Sequence, residues 1–88
     1  MMKTNNNFIK IVGSDNCKDC SMLFNLIKDY IEQNNLNIKI QKLFSLSNEA
    51  IDLAIDFDIN TIPFAIFNNK KIVFNKKTSR DELDDFFI

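Results

Sequence analysis

Cys17-Lys18-Asp19-Cys20 is the stretch around which the rest of the sequence is arranged, because it holds the only two cysteines of the chain. An apolar run, Phe8 to Val12, precedes it and is rich in residues that favour strands. Between the two lies Gly13-Ser14-Asp15-Asn16, which contains turn and helix-capping residues. The sequence therefore predicts a strand buried on both faces, a short turn, and a helix that begins at about Cys17 and is capped by Asp15 or Asn16.

The predicted helix carries a single apolar stripe. Apolar side chains recur at spacings of three and four residues, which places them on one face of a helix, while Lys28, Asp29 and Glu32 lie on the other face. The stripe consists of Cys20, Leu23, Phe24, Ile27, Tyr30 and Ile31. The polar run at 33–35 is expected to end the helix.

A second strand and a second helix are predicted before the only proline of the chain. Asn37 to Phe44 alternates between apolar and polar residues, as strands with one buried face do. Ser47 is positioned to cap a helix that ends near Asp58. The side chains expected to face inward from this helix are Ile51, Ala54 and Ile55.

A β-hairpin and a last helix complete the chain. We expect strands at Phe64 to Phe67 and Lys71 to Asn75, joined at Asn68-Asn69, since asparagine tolerates the left-handed conformation of tight turns. Thr78 or Ser79 is expected to cap the last helix, with Leu83, Phe86 and Phe87 inward. The order β-α-β-α-β-β-α predicts an α/β domain spanning residues 1–88, in which three helices flank a four-stranded mixed sheet.

Composition narrows the class of protein. The chain has 88 residues, 45% hydrophobic and 26% charged, which is typical of one small globular domain. Its 11 basic and 12 acidic residues nearly cancel, so charge offers no argument for nucleic acid as a partner. The polar first residues lack the apolar core of a signal peptide, and no apolar run is long enough for a membrane helix. We therefore expect a monomer in the cytoplasm that contacts neither nucleic acid nor membrane.

The cysteine pair has three possible uses. The chain contains no histidine, which removes Cys-His and Ser-His-Asp hydrolase sites and all metal sites that need histidine. Two thiolates supply only half of a tetrahedral zinc shell. In a cytoplasmic protein an isolated pair is more often catalytic or metal-binding than structural. Redox chemistry, a shared metal site and buried structural cysteines all remain open on the residues alone.

A resemblance to a known family favours redox chemistry. A strand, a Cys-x-x-Cys at a helix start, and Thr61-Ile62-Pro63 opening a hairpin together resemble the thioredoxin fold, over nearly the whole chain. The chain looks most like the small glutaredoxin-sized thioredoxins of archaea and bacteria. A Cys-x-x-Cys is a weak signal alone, but the Ile-Pro at the matching element boundary strengthens it.

The resemblance implies a role for each matching residue. Cys17 matches the nucleophile, whose thiolate the helix start favours, and Cys20 matches the thiol that resolves the mixed disulfide. Pro63 matches the family's cis-proline, which lies beside the sulfurs. Thr61, Ile62 and Pro63 would bind substrate, with the Ile62 backbone pairing with an extended segment. Phe64, which follows the proline, is a candidate edge of the same groove.

The chain departs from the family near the sulfurs. Thioredoxins commonly have tryptophan where this chain has Asn16, and Gly-Pro where it has Lys18-Asp19. They also carry a buried aspartate where this chain has Ile11, so the proton of Cys20 is left to Asp19 or water. Lys18 favours a thiolate on Cys17 and Asp19 opposes it, so both are expected to modulate reactivity.

Glutathione recognition is poorly matched. Glutaredoxins use a lysine shortly before the first cysteine and a Gly-Gly beyond the hairpin, whereas this chain has Gly13 and Phe74-Asn75-Lys76-Lys77. We therefore expect an oxidoreductase that reduces disulfides of protein substrates in electron transport and cell redox homeostasis. Its electron donor would resemble thioredoxin reductase, and it needs no cofactor beyond the Cys17–Cys20 disulfide. The alternatives are a non-catalytic binding module that uses the Ile62-Pro63 groove and a glutathione-dependent glutaredoxin.

Overall fold

The computed structural model describes residues 8–75 and 80–87. Its strands are β1 (Phe8–Gly13), β2 (Lys39–Phe44), β3 (Phe64–Phe67) and β4 (Lys70–Val73). Its helices are α1 (Lys18–Gln33), α2 (Asn48–Asp56) and α3 (Arg80–Phe87). The element order is the predicted one, while the expected cap of the last helix, Thr78 or Ser79, lies outside the described residues.

The strands form one mixed sheet in the order β2-β1-β3-β4. β1 runs parallel to β2, which requires the crossover through α1, and antiparallel to β3. β3 and β4 form the antiparallel hairpin. The predicted four-stranded mixed sheet is confirmed, and β1 occupies one of its two central positions.

The helices cover both faces of the sheet, as predicted. α1 and α3 pack on one face, where their buried side chains join those of β1, β3 and β4 in one apolar core. α2 packs on the opposite face through Ala50, in a smaller core with Val12, Phe64 and Ile66. The first core is the larger one because two helices contribute to it.

α1 owes its position to the predicted stripe. Leu23 and Ile27 are both 0% exposed, and Tyr30 and Ile31 are buried further along the same face. The helix ends at Gln33, as the polar run predicts, and Asn35 then takes a left-handed φ of 52°. None of the described helices is long and apolar enough to cross a membrane.

The hairpin turns where the asparagines predict it. Asn68 and Asn69 have φ values of 50° and 65°, the left-handed pair of a two-residue turn that matches the twist of the strands. Phe67 therefore pairs directly with Lys70. β4 begins one position earlier than expected, because the two-residue turn brings Lys70 into the ladder.

The orientation of α2 corrects the prediction. Ser47 caps the helix as expected, since its side chain accepts a hydrogen bond of 3.3 Å from the Ala50 N–H. Ile51 and Ile55, expected inward, are instead 43% and 71% exposed. The buried and partly buried face consists of Ala50, Leu53, Ala54 and Phe57. This face packs on the sheet because its residues form one continuous apolar stripe, which extends past the helix end to the Phe57 ring.

α2 also ends earlier than predicted, at Asp56 rather than near Asp58. Asp58 has a left-handed φ of 56°, and the Ile59 N–H bonds the Ala54 carbonyl at 2.8 Å. This is the hydrogen-bond pattern of a helix closed by a left-handed residue. The chain then turns back toward the sheet, so that Ile59 is buried.

The two isoleucines of contrasting burial give a matched test of these packing assignments. Ile27→Ala, in α1, is expected to lower the free energy of unfolding by about 2–5 kcal/mol because it leaves a cavity in the main core. Ile55→Ala, in α2, is expected to change it by about 0.5 kcal/mol or less. Urea denaturation of both variants measures the difference. Equal losses would contradict the observed orientation of α2.

Candidate active site

Cys17 is itself the N-cap of α1, which corrects the expectation that Asp15 or Asn16 would cap this helix. Its backbone is extended, with φ −110° and ψ 111°, and its Sγ accepts a hydrogen bond of 3.1 Å from the Cys20 N–H. Asn16 has a left-handed φ of 57°, whereas N-cap residues usually have an extended backbone. The sequence-based prediction missed the sulfur because oxygen-bearing side chains are the usual caps.

Cys17 and Cys20 are joined by a disulfide, with their Cα atoms 5.2 Å apart. The bond links the cap to a residue in the first turn of the helix, and both cysteines are half-buried. Residues 8–75 and 80–87 contain no group of three or more His, Cys, Asp or Glu side chains that could hold a metal ion. The pair has the geometry of a dithiol that can close on itself.

Pro63 lies at the same edge of the sheet. The Ile62–Pro63 peptide bond is cis, as the resemblance implies, and Pro63 is buried. Val12 pairs with Phe64 in the antiparallel ladder, so the same register, continued by one pair, brings Gly13 opposite Pro63. The end of β1 and the start of β3 therefore lie side by side, and the first turn of α1 reaches the same edge because Cys20 approaches Gly13.

Thr61 and Ile62 are exposed just before this proline, Ile62 at 41%. Neither backbone group of Ile62 is hydrogen-bonded to the described residues. An unpaired N–H and C=O at a strand start can pair with an added extended segment. The structure thus leaves free the backbone groups that the resemblance assigns to substrate binding.

Two hollows flank this edge. A cleft of about 760 Å³ is lined by both cysteines of the disulfide and also by Phe24, Lys42 and Phe44. An apolar hollow of about 510 Å³ lies between α2 and residues 59–62, and the exposed Ile51, Ile55 and Ile62 all line it. Phe64, expected as a possible groove edge, is buried and is one of the residues that line the second hollow.

Gly13 is a site residue that sequence reasoning missed. The sequence pattern places it in the turn after the first strand, but a Cβ built at this position would lie 2.8 Å from the Cys20 Sγ. The available signal was that the single glycine of the chain directly follows a buried strand and precedes the cysteine pair.

Structural comparison places this arrangement among known folds. Thioredoxin 1 of the thermophilic eubacterium Thermosipho africanus aligns over 91% of this chain and 89% of its own, with a TM-score of 0.58 and 18% identity. The chain has the thioredoxin fold. Thioredoxin-2, described as a component of malaria parasite protein secretion machinery, aligns over 97% of this chain and 84% of its own, with a TM-score of 0.60 and 17% identity. No family model and no curated protein sequence matches the chain.

The capping role of Cys17 can be tested in the reduced protein. Cys17→Ser keeps a side chain that accepts the Cys20 N–H, whereas Cys17→Ala removes it, so the alanine variant should be less stable by about 0.5–2 kcal/mol. Urea denaturation under reducing conditions measures both variants. Asp15→Ala is the control, and a loss there as large as that of Cys17→Ala would restore the original assignment of the cap.

The charged side chains between the cysteines should have small effects on the reactivity of Cys17, since Lys18 and Asp19 are both exposed and water screens them. Asp19→Asn is expected to raise the rate at which iodoacetamide alkylates Cys17, and Lys18→Gln to lower it, each by about threefold or less. Both effects should shrink in high salt. A change of about tenfold or more that survives high salt would show that one side chain contacts the sulfur directly.

Proposed function

We propose that this protein is a thiol-disulfide oxidoreductase that reduces disulfides of protein substrates. The observation that carries the proposal is the position of Cys17, which caps α1 and is disulfide-bonded to Cys20 in the first turn. The thioredoxin fold supports it, because both solved structures compared above are thioredoxins.

Cys17 is the nucleophile of the proposed cycle. In the reduced protein its thiolate would lie at the positive end of α1, where the Cys20 N–H already points at the sulfur. The thiolate attacks one sulfur of the substrate disulfide. A bond forms between Cys17 Sγ and that sulfur, and the other substrate sulfur leaves as a thiolate and takes a proton from water.

Cys20 completes the cycle. Its thiol loses a proton and attacks Cys17 Sγ, which releases the second substrate thiolate and forms the Cys17–Cys20 disulfide. Two electrons have then passed from the protein to the substrate. Ile11 is buried and apolar, so it supplies no proton acceptor, and we assign the proton to water or to the exposed Asp19.

The substrate would dock beside Pro63. An extended segment can pair with the backbone groups of Ile62, which have no hydrogen-bond partner among the described residues, and this pairing would bring a cysteine of the segment toward the disulfide. Apolar side chains of the same segment can cover the hollow that Ile51, Ile55 and Ile62 line. The exposure of these three isoleucines, which is costly in water, fits a surface that is covered during turnover.

The remaining assignments concern the protein's surroundings. We propose that it works as a monomer in the cytoplasm, where a reducing poise keeps the pair available as a dithiol. Its donor would be a flavin-dependent enzyme of the thioredoxin reductase kind. The couple is expected to be reducing, so that electrons flow from that donor through this protein to its substrates.

Turnover is the property that separates this proposal from a binding module of the same fold. With dithiothreitol as electron source, the protein should accelerate the precipitation of insulin that follows reduction of its disulfides. Cys17→Ser should fall to the rate of dithiothreitol alone because the nucleophile is gone. Ser21→Ala, an exposed neighbour, is the control. A Cys17→Ser variant as active as the wild type would overturn the proposed function.

Natural substrates should be recoverable by trapping. Cys20→Ser removes the resolving thiol, so the mixed disulfide on Cys17 should persist and be separable under non-reducing conditions. The matched control is the variant with both cysteines changed to serine, which should trap nothing. Partners trapped equally by the double variant would be bound without disulfide exchange, as a non-catalytic module would bind them.

A further inference from the structure

We propose that Gly13 is a positioning residue for Cys20, because its missing side chain makes the space in which the resolving sulfur lies. This inference rests on the proposed function, since it assigns Gly13 a part in the second step of that cycle. It follows from the packing of α1 on β1, from the distance between Gly13 and Cys20, and from the backbone conformation of the glycine.

Gly13 continues a row of side chains that face α1. Alternate residues of a strand point to the same face, so Ile9, Ile11 and Gly13 form one row. Ile9 and Ile11 are buried in the core that α1 and α3 share. Gly13 is the position of this row nearest the disulfide, and it has no side chain to fill its share of the space.

Cys20 fills that space from α1. Cys20, Leu23 and Ile27 follow one another at spacings of three and four and therefore lie on one helix face. Leu23 and Ile27 pack in the same core as Ile9 and Ile11. Cys20 is thus the residue of this helix face nearest the N-terminus of α1. It packs against Gly13, the residue at the end of the strand row.

Any side chain at position 13 would force neighbouring atoms to move. A Cβ there would lie 2.8 Å from Cys20 Sγ and 3.0 Å from Cys20 Cβ. Non-bonded heavy atoms pack at roughly 3.5–4.0 Å, so an added methyl group would push the sulfur or the strand away.

Backbone conformation does not explain the glycine. Gly13 does not have a positive φ, so an alanine could adopt its backbone conformation without strain. The left-handed position of this loop belongs to Asn16 instead. The contact with Cys20 is therefore the structural demand that the described residues place on position 13.

This contact matters most in the resolving step. Cys20 Sγ must approach Cys17 Sγ in line with the bond to the substrate sulfur, so that a new disulfide forms as the substrate thiolate leaves. A displaced sulfur loses that alignment, and misplacement of a reacting atom is costly to rate. The first step, the attack by Cys17 on the substrate, does not use Cys20 as a reactant.

The two steps can be timed separately with a small aromatic disulfide whose released thiolate is coloured. Reduced wild-type protein should release one thiolate when Cys17 attacks and a second when Cys20 resolves the mixed disulfide. Gly13→Ala should leave the first rate within about twofold and slow the second by about tenfold or more. The mixed disulfide should then accumulate and be visible by mass spectrometry after acid quenching.

Ile9→Val is the control for a purely structural effect. It shortens a buried side chain of the same row away from the sulfurs, so it should lower stability while leaving both rates near those of the wild type. A second release by Gly13→Ala as fast as that of the wild type would overturn the inference. Equal slowing of both releases would also overturn it, because the effect would then not be specific to Cys20.

A second background covers the case in which Gly13→Ala does not fold. Cys20→Ala removes the sulfur that the new methyl group would meet, so Gly13→Ala should be tolerated better in that background. If Gly13→Ala folds only when it is combined with Cys20→Ala, the contact is supported. If Gly13→Ala folds in neither background, the inference is overturned. A wild-type protein that releases no second thiolate would refute the dithiol cycle itself, whereas normal release with an unaffected Gly13→Ala refutes only the role of Gly13.

Discussion

The packing of α1 against β1 is the interaction on which the site depends. Leu23 and Ile27 are fully buried against the strand row that contains Ile9 and Ile11. Because close-packed side chains leave a helix little freedom to slide or rotate, this core also sets where the first turn of α1 lies. The disulfide consequently rests at the end of β1, in the one place where the row has no side chain. Core packing and site geometry have the same physical origin here.

Cys17 combines a structural and a chemical role in one atom. Its sulfur closes the N-terminus of α1 by accepting the Cys20 N–H, and the same sulfur is the proposed nucleophile. A donor that already points at the sulfur stabilises negative charge there without rearrangement, which is how preorganised sites favour a reactive anion. The usual capping residues can accept the N–H but cannot also act as the nucleophile, since their oxygen atoms do not form disulfides. The fold thus places its proposed nucleophile where a helix needs a cap in any case.

Local sequence patterns predicted most of the architecture, but they failed for α2, where two adjacent faces of the helix are both apolar. The stripe of α1, the Ser47 cap and the Asn68-Asn69 turn each depend on residues that are near one another in sequence, so they could be predicted. α2 has apolar residues on two adjacent faces, and the pattern alone favoured Ile51 and Ile55. The sheet residues opposite, among them Phe64, bury the other face. Ile51 and Ile55, which were predicted to face inward, instead line a hollow together with Ile62 and form the apolar surface next to the candidate site.

The sequence by itself determined the order of the strands and helices and placed a cysteine pair at the start of a helix, because both follow from spacing along the chain. It also pointed to Pro63 through the resemblance of the segment that contains it. Only the tertiary structure decided that Gly13 belongs with Cys20 at this site. Strand register pairs Val12 with Phe64, so that Gly13 and Pro63 are the next residues of the two strands, and helix packing brings Cys20 onto Gly13. The register joins residues far apart in sequence, and the Gly13–Cys20 contact depends on how α1 packs on β1, so no local pattern encodes either of them. The proposed role of Gly13, which the sequence places in a turn, follows from this packing.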